Sequence, residues 1–238
     1  GGAHLAQKFA TQLWSIQRGE IDVDRSDMRV VELAGRCHDL GPGPFSHVFE
    51  REFLKQKGIT NWDHEDMSAN MLDFLIDENY IDSISPDDLK RVKQFITSGH
   101  GLGAEDAQKP AAGGSSGRWL SEIVANGRNS IDVDKFDYLA RDAKYCGVNL
   151  SCNFNRIMQF SKVIDDEICY KYTEYMNLYE LFHARALMHR SVYTHKKAKA
   201  IEFMVVDALL EADKSFNFSS RIWDCLLYTS PSPRDLYT

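Results

Sequence analysis

At 238 residues, 43% hydrophobic and 26% charged, the chain can form one large domain or two small ones around a sizeable core, which excludes wholesale disorder. Its 28 Lys and Arg against 35 Asp and Glu leave a net charge of −7, which excludes a surface that grips nucleic acid on every side but leaves room for a local basic pocket of the kind a phosphate needs. Five cysteines (Cys37, Cys146, Cys152, Cys169 and Cys225), odd in number and without Cys-x-x-Cys, exclude a disulfide frame or zinc knuckle as the organising element and suit a reducing compartment.

The chain opens on Gly1, and Leu5, Phe9, Leu13 and Trp14 already recur at helical spacing, so it is expected to begin within a helix and to be a fragment. Met28, Val31, Leu33 and Ala34 lead a second helix towards Cys37, His38 and Asp39. Helices are expected over 66–80 (Met67, Met71, Phe74, Leu75) and around Leu89, Val92, Phe95 and Ile96. The stretch from Gly99 to Gly117, rich in Gly, Ala and Ser, reads as a flexible surface excursion. Further helices are expected over 131–144, 178–196 and 198–212, the last with Ile201, Val205, Ala208 and Leu209 on one side. One hairpin is expected from Val163–Ile164 and Ile168–Tyr172, turning at Asp165 and Asp166. The fold class expected is all-α with at most this one small β-hairpin. One domain is expected over 1–222, truncated at its front, followed by a non-native-looking or disordered tail over 223–238, where Leu227 to Thr238 is rich in Pro and Ser. No apolar run approaches the roughly 18 residues of a membrane span, and no signal peptide is visible. A soluble intracellular protein of nucleus or cytoplasm, with no membrane partner, is expected.

The densest chemical signal runs from Arg36 to His47. His38 beside Asp39 offers a borderline and a hard ligand, about 100° apart on a helix, and such a mixed N/O pair suits a divalent transition metal. Gly41 and Gly43, interleaved with Pro42 and Pro44, stop the helix and turn the chain so that His47 returns towards the same pocket. The plain alternative is a helix end with an incidental His-Asp pair. The Gly/Pro stop and the second His favour the metal reading.

Three further segments follow. Glu65 and Asp66 suit the start of a helix after Asp63 by ordinary capping, which leaves His64 unexplained because a cation is disfavoured there. Asp132, Asp134, Lys135, Asp137, Tyr138, Arg141 and Asp142 read as a solvated charged helix, except that Asp134 and Tyr138 share a face. Arg185, His189 and Tyr193 stand at i, i+4 and i+8, with Arg185 and His189 on the side of Leu178, Leu181 and Phe182. Charge on an apolar side must be paired or face a ligand, so a buried salt bridge and a phosphate clamp are the two readings.

The segment His38-Asp39-Leu40-Gly41 with Gly43-Pro44-Phe45-Ser46-His47 resembles the HD superfamily. More closely, it resembles the SAM-and-HD-domain deoxynucleoside triphosphate triphosphohydrolases. The match runs on through Trp62, His64 and Glu65, through Asn129, Asp132, Asp134, Lys135 and Tyr138, and through Arg185, His189, Tyr193, His195 and Lys196, covering roughly residues 1 to 215. The resemblance implies one divalent ion (Fe, Mn, Zn or Mg) on His38, Asp39 and Asp134, completed by an upstream His expected before residue 1, since His4 falls too late in the pattern. It implies that His64 donates a proton to the leaving group, tuned by Glu65 and with His47 nearby. It implies that Lys135, Tyr138, Arg185, His189 and Tyr193 contact the substrate, with tyrosine stacking excluding a 2′-hydroxyl. Arg156, Lys171, His195 and Lys196 resemble positions that bind an activating nucleotide, such as GTP or dGTP, between subunits of a homo-oligomer; surface solvation is the plain alternative for each. Pro42 stands where the family usually has His, and Glu50 where Asp is usual. Hydrolysis of a deoxynucleoside triphosphate is therefore expected. Rival readings are another HD-type nucleotide phosphohydrolase or phosphodiesterase, or a weakened protein that binds nucleotide or single-stranded nucleic acid.

Overall fold

Capping and apolar spacing account for most of the helices in the computed structural model, which describes residues 1–99 and 117–225. The interior of the expected Gly99–Gly117 excursion and the tail from Leu227 lie outside the described residues. Two compact units are formed: Gly1–Cys37 with Ser83–His195, and His38–Asp82 with the chain from Lys196 onward. Among the described residues no helix is long and apolar enough to cross a membrane.

In the first unit, α1 (Gly2–Ile16) buries Ala6, Phe9, Ala10 and Leu13 as one stripe, and α2 (Arg25–Cys37) buries Val30, Val31 and Ala34. A Cβ on Gly35 would sit 2.9 Å from the Ala6 Cβ, so glycine lets these two helices approach closely. Ser85 caps α4 (Pro86–Thr97), accepting from the Asp88 amide at 3.1 Å, and Pro86 occupies the first turn. Asp132 caps α6 (Val133–Cys146), which ends on Gly147 at φ +67°. The expected hairpin forms from β1 (Ser161–Ile164) and β2 (Glu167–Tyr170), with Ser161 opposite Tyr170 and both turn aspartates at positive φ. Its edges are covered by side chains: Gln17 Nε2 donates to the Val163 carbonyl at 2.9 Å, and Glu122 accepts from the Ile168 amide at 2.9 Å.

Two helices carry no periodic signal, because α5 (Arg118–Val124) and α7 (Phe154–Gln159) are too short to show one. The expected helix over 178–196 differs too. It runs as α8 (Tyr175–Met188), widens into a π-helical turn at His189–Tyr193, and stops at Thr194. Phe182 is exposed although Leu181 beside it is fully buried.

In the second unit, a π-helical turn (Phe49–Leu54), α3 (His64–Glu78) and α9 (Lys196–Phe216) enclose Phe49, Phe53, Leu54, Trp62, Met67, Val206 and Ile222. The buried face of α9 is therefore not the expected one: Ile201 is 62% exposed, whereas Val206 is fully buried and Asp213, further along, is 3% exposed. Val206, with Leu209 and Leu210, packs into the apolar cluster, and Asp213, about two turns beyond Val206, lies on the same side. Its carboxylate takes Lys57 Nζ at 2.8 Å, the Ser219 amide at 2.7 Å and the Ser219 hydroxyl at 2.6 Å. Burial pushes this carboxyl up, but Lys57 and Ser219 outweigh it and hold it below its ordinary value. Its stabilisation is therefore present at neutral pH and lost as pH falls below about 4. Asp213→Ala is expected to lower the unfolding free energy at pH 7 by about 2–4 kcal/mol and by much less near pH 3, read from urea melts at both pH values.

Candidate active site

The turn that follows α2 is shaped by contacts only glycine permits. A Cβ on Gly41 would lie 2.3 Å from the His64 carbonyl oxygen and 2.4 Å from the Ser68 amide nitrogen, and one on Gly43 would lie 2.3 Å from the Phe49 ring. The Gly41 amide donates to Ser68 Oγ at 2.9 Å, and that hydroxyl lies within donating distance of the His38 carbonyl at 2.7 Å and the His64 carbonyl at 2.8 Å. One buried serine thus ties the segment after His38 to the first turn of α3. Phe45 (φ 65°) and Ser46 (φ 54°) are both left-handed without being glycine, at a cost of roughly 1 kcal/mol each, immediately before His47.

His38 Nε2 stands 3.6 Å from Asp39 Oδ2. Two donors on one ion at about 2.1 Å from each lie roughly 3.0–3.5 Å apart, so the pair fits a shared divalent ion, and its imidazole and carboxylate are the donor types such an ion takes.

Asp63 caps α3, accepting from the Glu65 and Asp66 amides at 2.8 and 3.4 Å, as the capping reading expects. His64 does not point to water. Its Nδ1 lies 3.0 Å from Glu50 Oε2 and 3.0 Å from Glu65 Oε2, and its ring stands edge-on to that of His47, 5.1 Å away. His47 Nδ1 is 3.7 Å from the same Glu50 oxygen. The two carboxyls are driven apart. Burial opposes the ionised form of Glu50, but the two imidazoles prevail and lower it to about 2. Burial, then the hydrogen bond and like charge of Asp63, push Glu65 up to about 9. At neutral pH one carboxyl beside His64 is an anion and the other a neutral acid, a division of roles that suits acid-base chemistry.

In the first unit, α6 and α8 assemble a second cluster. Arg185 Nη1 donates to the Tyr138 hydroxyl at 2.7 Å, Tyr138 meets Tyr193 edge-on at 6.2 Å, and Tyr193 meets His189 edge-on at 5.1 Å. Tyr193 donates to Asp142 at 2.7 Å, a partnership that no sequence signal announced. Burial raises the Tyr138 hydroxyl despite Arg185, and burial with the Asp142 hydrogen bond raises Tyr193, so both stay protonated as donors. Asp134 lies in the first turn of α6. Lys135 Nζ rests 3.1 Å from the capping Asp132, so reaching a phosphate requires it to exchange partners. Asp137 pairs with Arg141. Elsewhere in this unit, Arg156 forks onto Glu174 at 2.7 and 2.6 Å and lies 4.7 Å over the Phe160 ring, which Lys171 also approaches at 5.3 Å. His195 and Lys196 are exposed.

No known protein-family profile matches the chain. A deoxynucleoside triphosphate triphosphohydrolase SAMHD1 homolog of Dictyostelium discoideum is 44% identical over 224 residues, 94% of this chain and 41% of that protein. The deoxynucleoside triphosphate triphosphohydrolase SAMHD1 of Bos taurus is 37% identical over 90% of this chain and 38% of its own length, and that of Homo sapiens 36% identical over 88% and 37%. An HD domain-containing protein of Acanthamoeba polyphaga mimivirus is 32% identical over 86% of this chain and 42% of its own length. The chain thus spans about two fifths of the length of these relatives.

Because the Gly41 Cβ would collide with backbone rather than with a movable side chain, Gly41→Ala is expected to destabilise the protein by about 2–3 kcal/mol, measured as a lowered urea midpoint with an unchanged m-value.

Proposed function

We propose that this chain, which over about nine tenths of its length is similar to proteins named deoxynucleoside triphosphate triphosphohydrolase SAMHD1, belongs to that HD-domain family and carries the catalytic core for metal-dependent hydrolysis of a deoxynucleoside triphosphate to deoxynucleoside and inorganic triphosphate. The observation that carries the reading is the setting of His64, whose Nδ1 lies 3.0 Å from each of two carboxylate oxygens with His47 beside it. In the reaction water oxygen bonds to the α-phosphorus, the bond from that phosphorus to the 5′ oxygen breaks, and a proton must reach the leaving oxygen. His64 is the residue we assign to deliver that proton, with Glu50 and Glu65 orienting its ring through Nδ1. His47 shares Glu50 and assists.

His38, Asp39 and Asp134 would hold the divalent ion. When bound, it polarises the α-phosphate and makes water a stronger nucleophile. Lys135 and Arg185 neutralise charge on the phosphates, and the planar guanidinium suits a pair of phosphate oxygens. Tyr138, Tyr193 and His189 form an aromatic wall against which a sugar lacking a 2′-hydroxyl fits; a ribose would crowd it. Arg156 and Lys171, gathered on Phe160, together with His195 and Lys196, are the residues we assign to an activating GTP or dGTP in a homo-oligomer. Single-stranded nucleic acid is a further ligand of the same chemistry.

In the full-length protein, His38→Ala, Asp39→Ala and Asp134→Ala are each expected to abolish triphosphate release, and His64→Ala to reduce it by about 10²–10⁴-fold. Arg185→Lys, which keeps the charge and loses the fork, is expected to cost about 10-fold or more in kcat/KM. Chromatography of the products checks the reaction class: pyrophosphate or monophosphate in place of inorganic triphosphate would overturn it.

A further inference from the structure

His47, Glu50 and His64 belong to no ligand set discussed so far, yet their donors converge. One ligand atom from each lies within 4.8 Å of the others. His64 Nδ1 is 3.0 Å and His47 Nδ1 3.7 Å from the same Glu50 oxygen. Ligands about 2.0–2.2 Å from one ion at tetrahedral or octahedral angles are roughly 3.0–3.5 Å apart, so the two gaps to Glu50 need to change by at most a few tenths of an ångström, while the two imidazoles, within 4.8 Å of each other, close on the ion by rotating. The rings stand 77° to each other, so the imidazoles meet edge to face instead of stacking away from a common centre. Two imidazoles and one carboxylate are the donors of Zn²⁺ and its transition-metal neighbours. Magnesium, which favours oxygen and water, is poorly served.

We propose that His47, Glu50 and His64 form a second, inhibitory site for a divalent transition-metal ion. The three residues come from both sides of one turn: His47 and Glu50 flank the start of the π-helical turn, and His64 opens α3. The ligands are therefore held by the Ser68 hydrogen bonds and the Phe49 packing already described. Glu65 Oε2, 3.0 Å from His64 Nδ1, stands ready as a fourth ligand or as the group that orients the imidazole. The site is reachable, because the His47 side chain is 47% exposed while those of Glu50 and His64 are mostly covered. One Glu50 oxygen lies between the two rings.

Inhibition rests on the hydrolase reading above. An ion held between His64 Nδ1, His47 and Glu50 takes from His64 the carboxylate that orients its ring and ties the imidazole to the metal, so it no longer serves in proton delivery; any proton displaced goes to solvent. No oxidation or reduction is involved.

The test counts metal in the full-length protein and needs no nucleotide. The protein, carrying its catalytic ion, is dialysed against Zn²⁺ and assayed by elemental analysis. One Zn²⁺ equivalent beyond the catalytic site is expected. His47→Ala, at a half-exposed position, and Glu50→Ala should each weaken that equivalent at least 10-fold, while Asp39→Ala should retain it. Co²⁺ in place of Zn²⁺ should give an absorption band that disappears in His47→Ala, which separates lost ligation from lost folding. Unchanged Zn²⁺ stoichiometry in both His47→Ala and Glu50→Ala would overturn the site. Absence of triphosphate release from a protein that does bind the extra equivalent would sink the hydrolase reading alone. A filled site that leaves the rate of an active enzyme unchanged would overturn the inhibitory role.

Discussion

The approach of the Gly41 backbone to the first turn of α3 governs the second unit. A methyl group there would stand 2.3 Å from the His64 carbonyl, so the helix start and the turn are in contact through backbone alone. Ser68 fills the remaining hydrogen-bonding need, with its single hydroxyl among the Gly41 amide and the carbonyls of His38 and His64. Because a buried, unpaired backbone group costs free energy, this arrangement has few alternatives. The positions of His38, His47 and His64 all follow from it.

With the backbone so constrained, the chemistry of His64 is decided by its neighbours. Two carboxyls touch the same nitrogen, yet they cannot both be anions in so confined a place at little cost. The Glu50 oxygen faces two imidazoles, which outweigh its burial and hold it as the anion, whereas burial and then Asp63 hold Glu65 as the acid. The same geometry that orients an imidazole for proton transfer also converges nitrogen and oxygen donors, which is why one cluster supports both a catalytic reading and a metal-binding one.

The first unit solves a different problem, the placement of Arg185 and two tyrosines in a mostly apolar setting. Each polar tip has a named partner: Arg185 with Tyr138, and Tyr193 with Asp142. The π-helical turn at His189–Tyr193 matters here. It inserts an extra residue into the helical repeat and so changes the direction of Tyr193 relative to a regular helix. A helical wheel drawn on the regular period could not have anticipated this.

By itself the sequence determined the helical class, the hairpin and its turn at Asp165–Asp166, the cap at Asp63 and the residues that carry the family likeness. All of these depend on local rules of period, cap and turn, or on motifs short enough to read directly. Only the tertiary structure decided which side of α9 is buried, because Val206 packs among Phe49, Phe53 and Trp62 and Asp213 meets Lys57 and Ser219, and most of these partners lie far away in the chain. It also decided that Ser68 is the tie between the turn and α3, that Glu50 lies between two histidines, and that Tyr193 has Asp142 as its partner. Those facts depend on distances between residues far apart in the chain, and no local period encodes them.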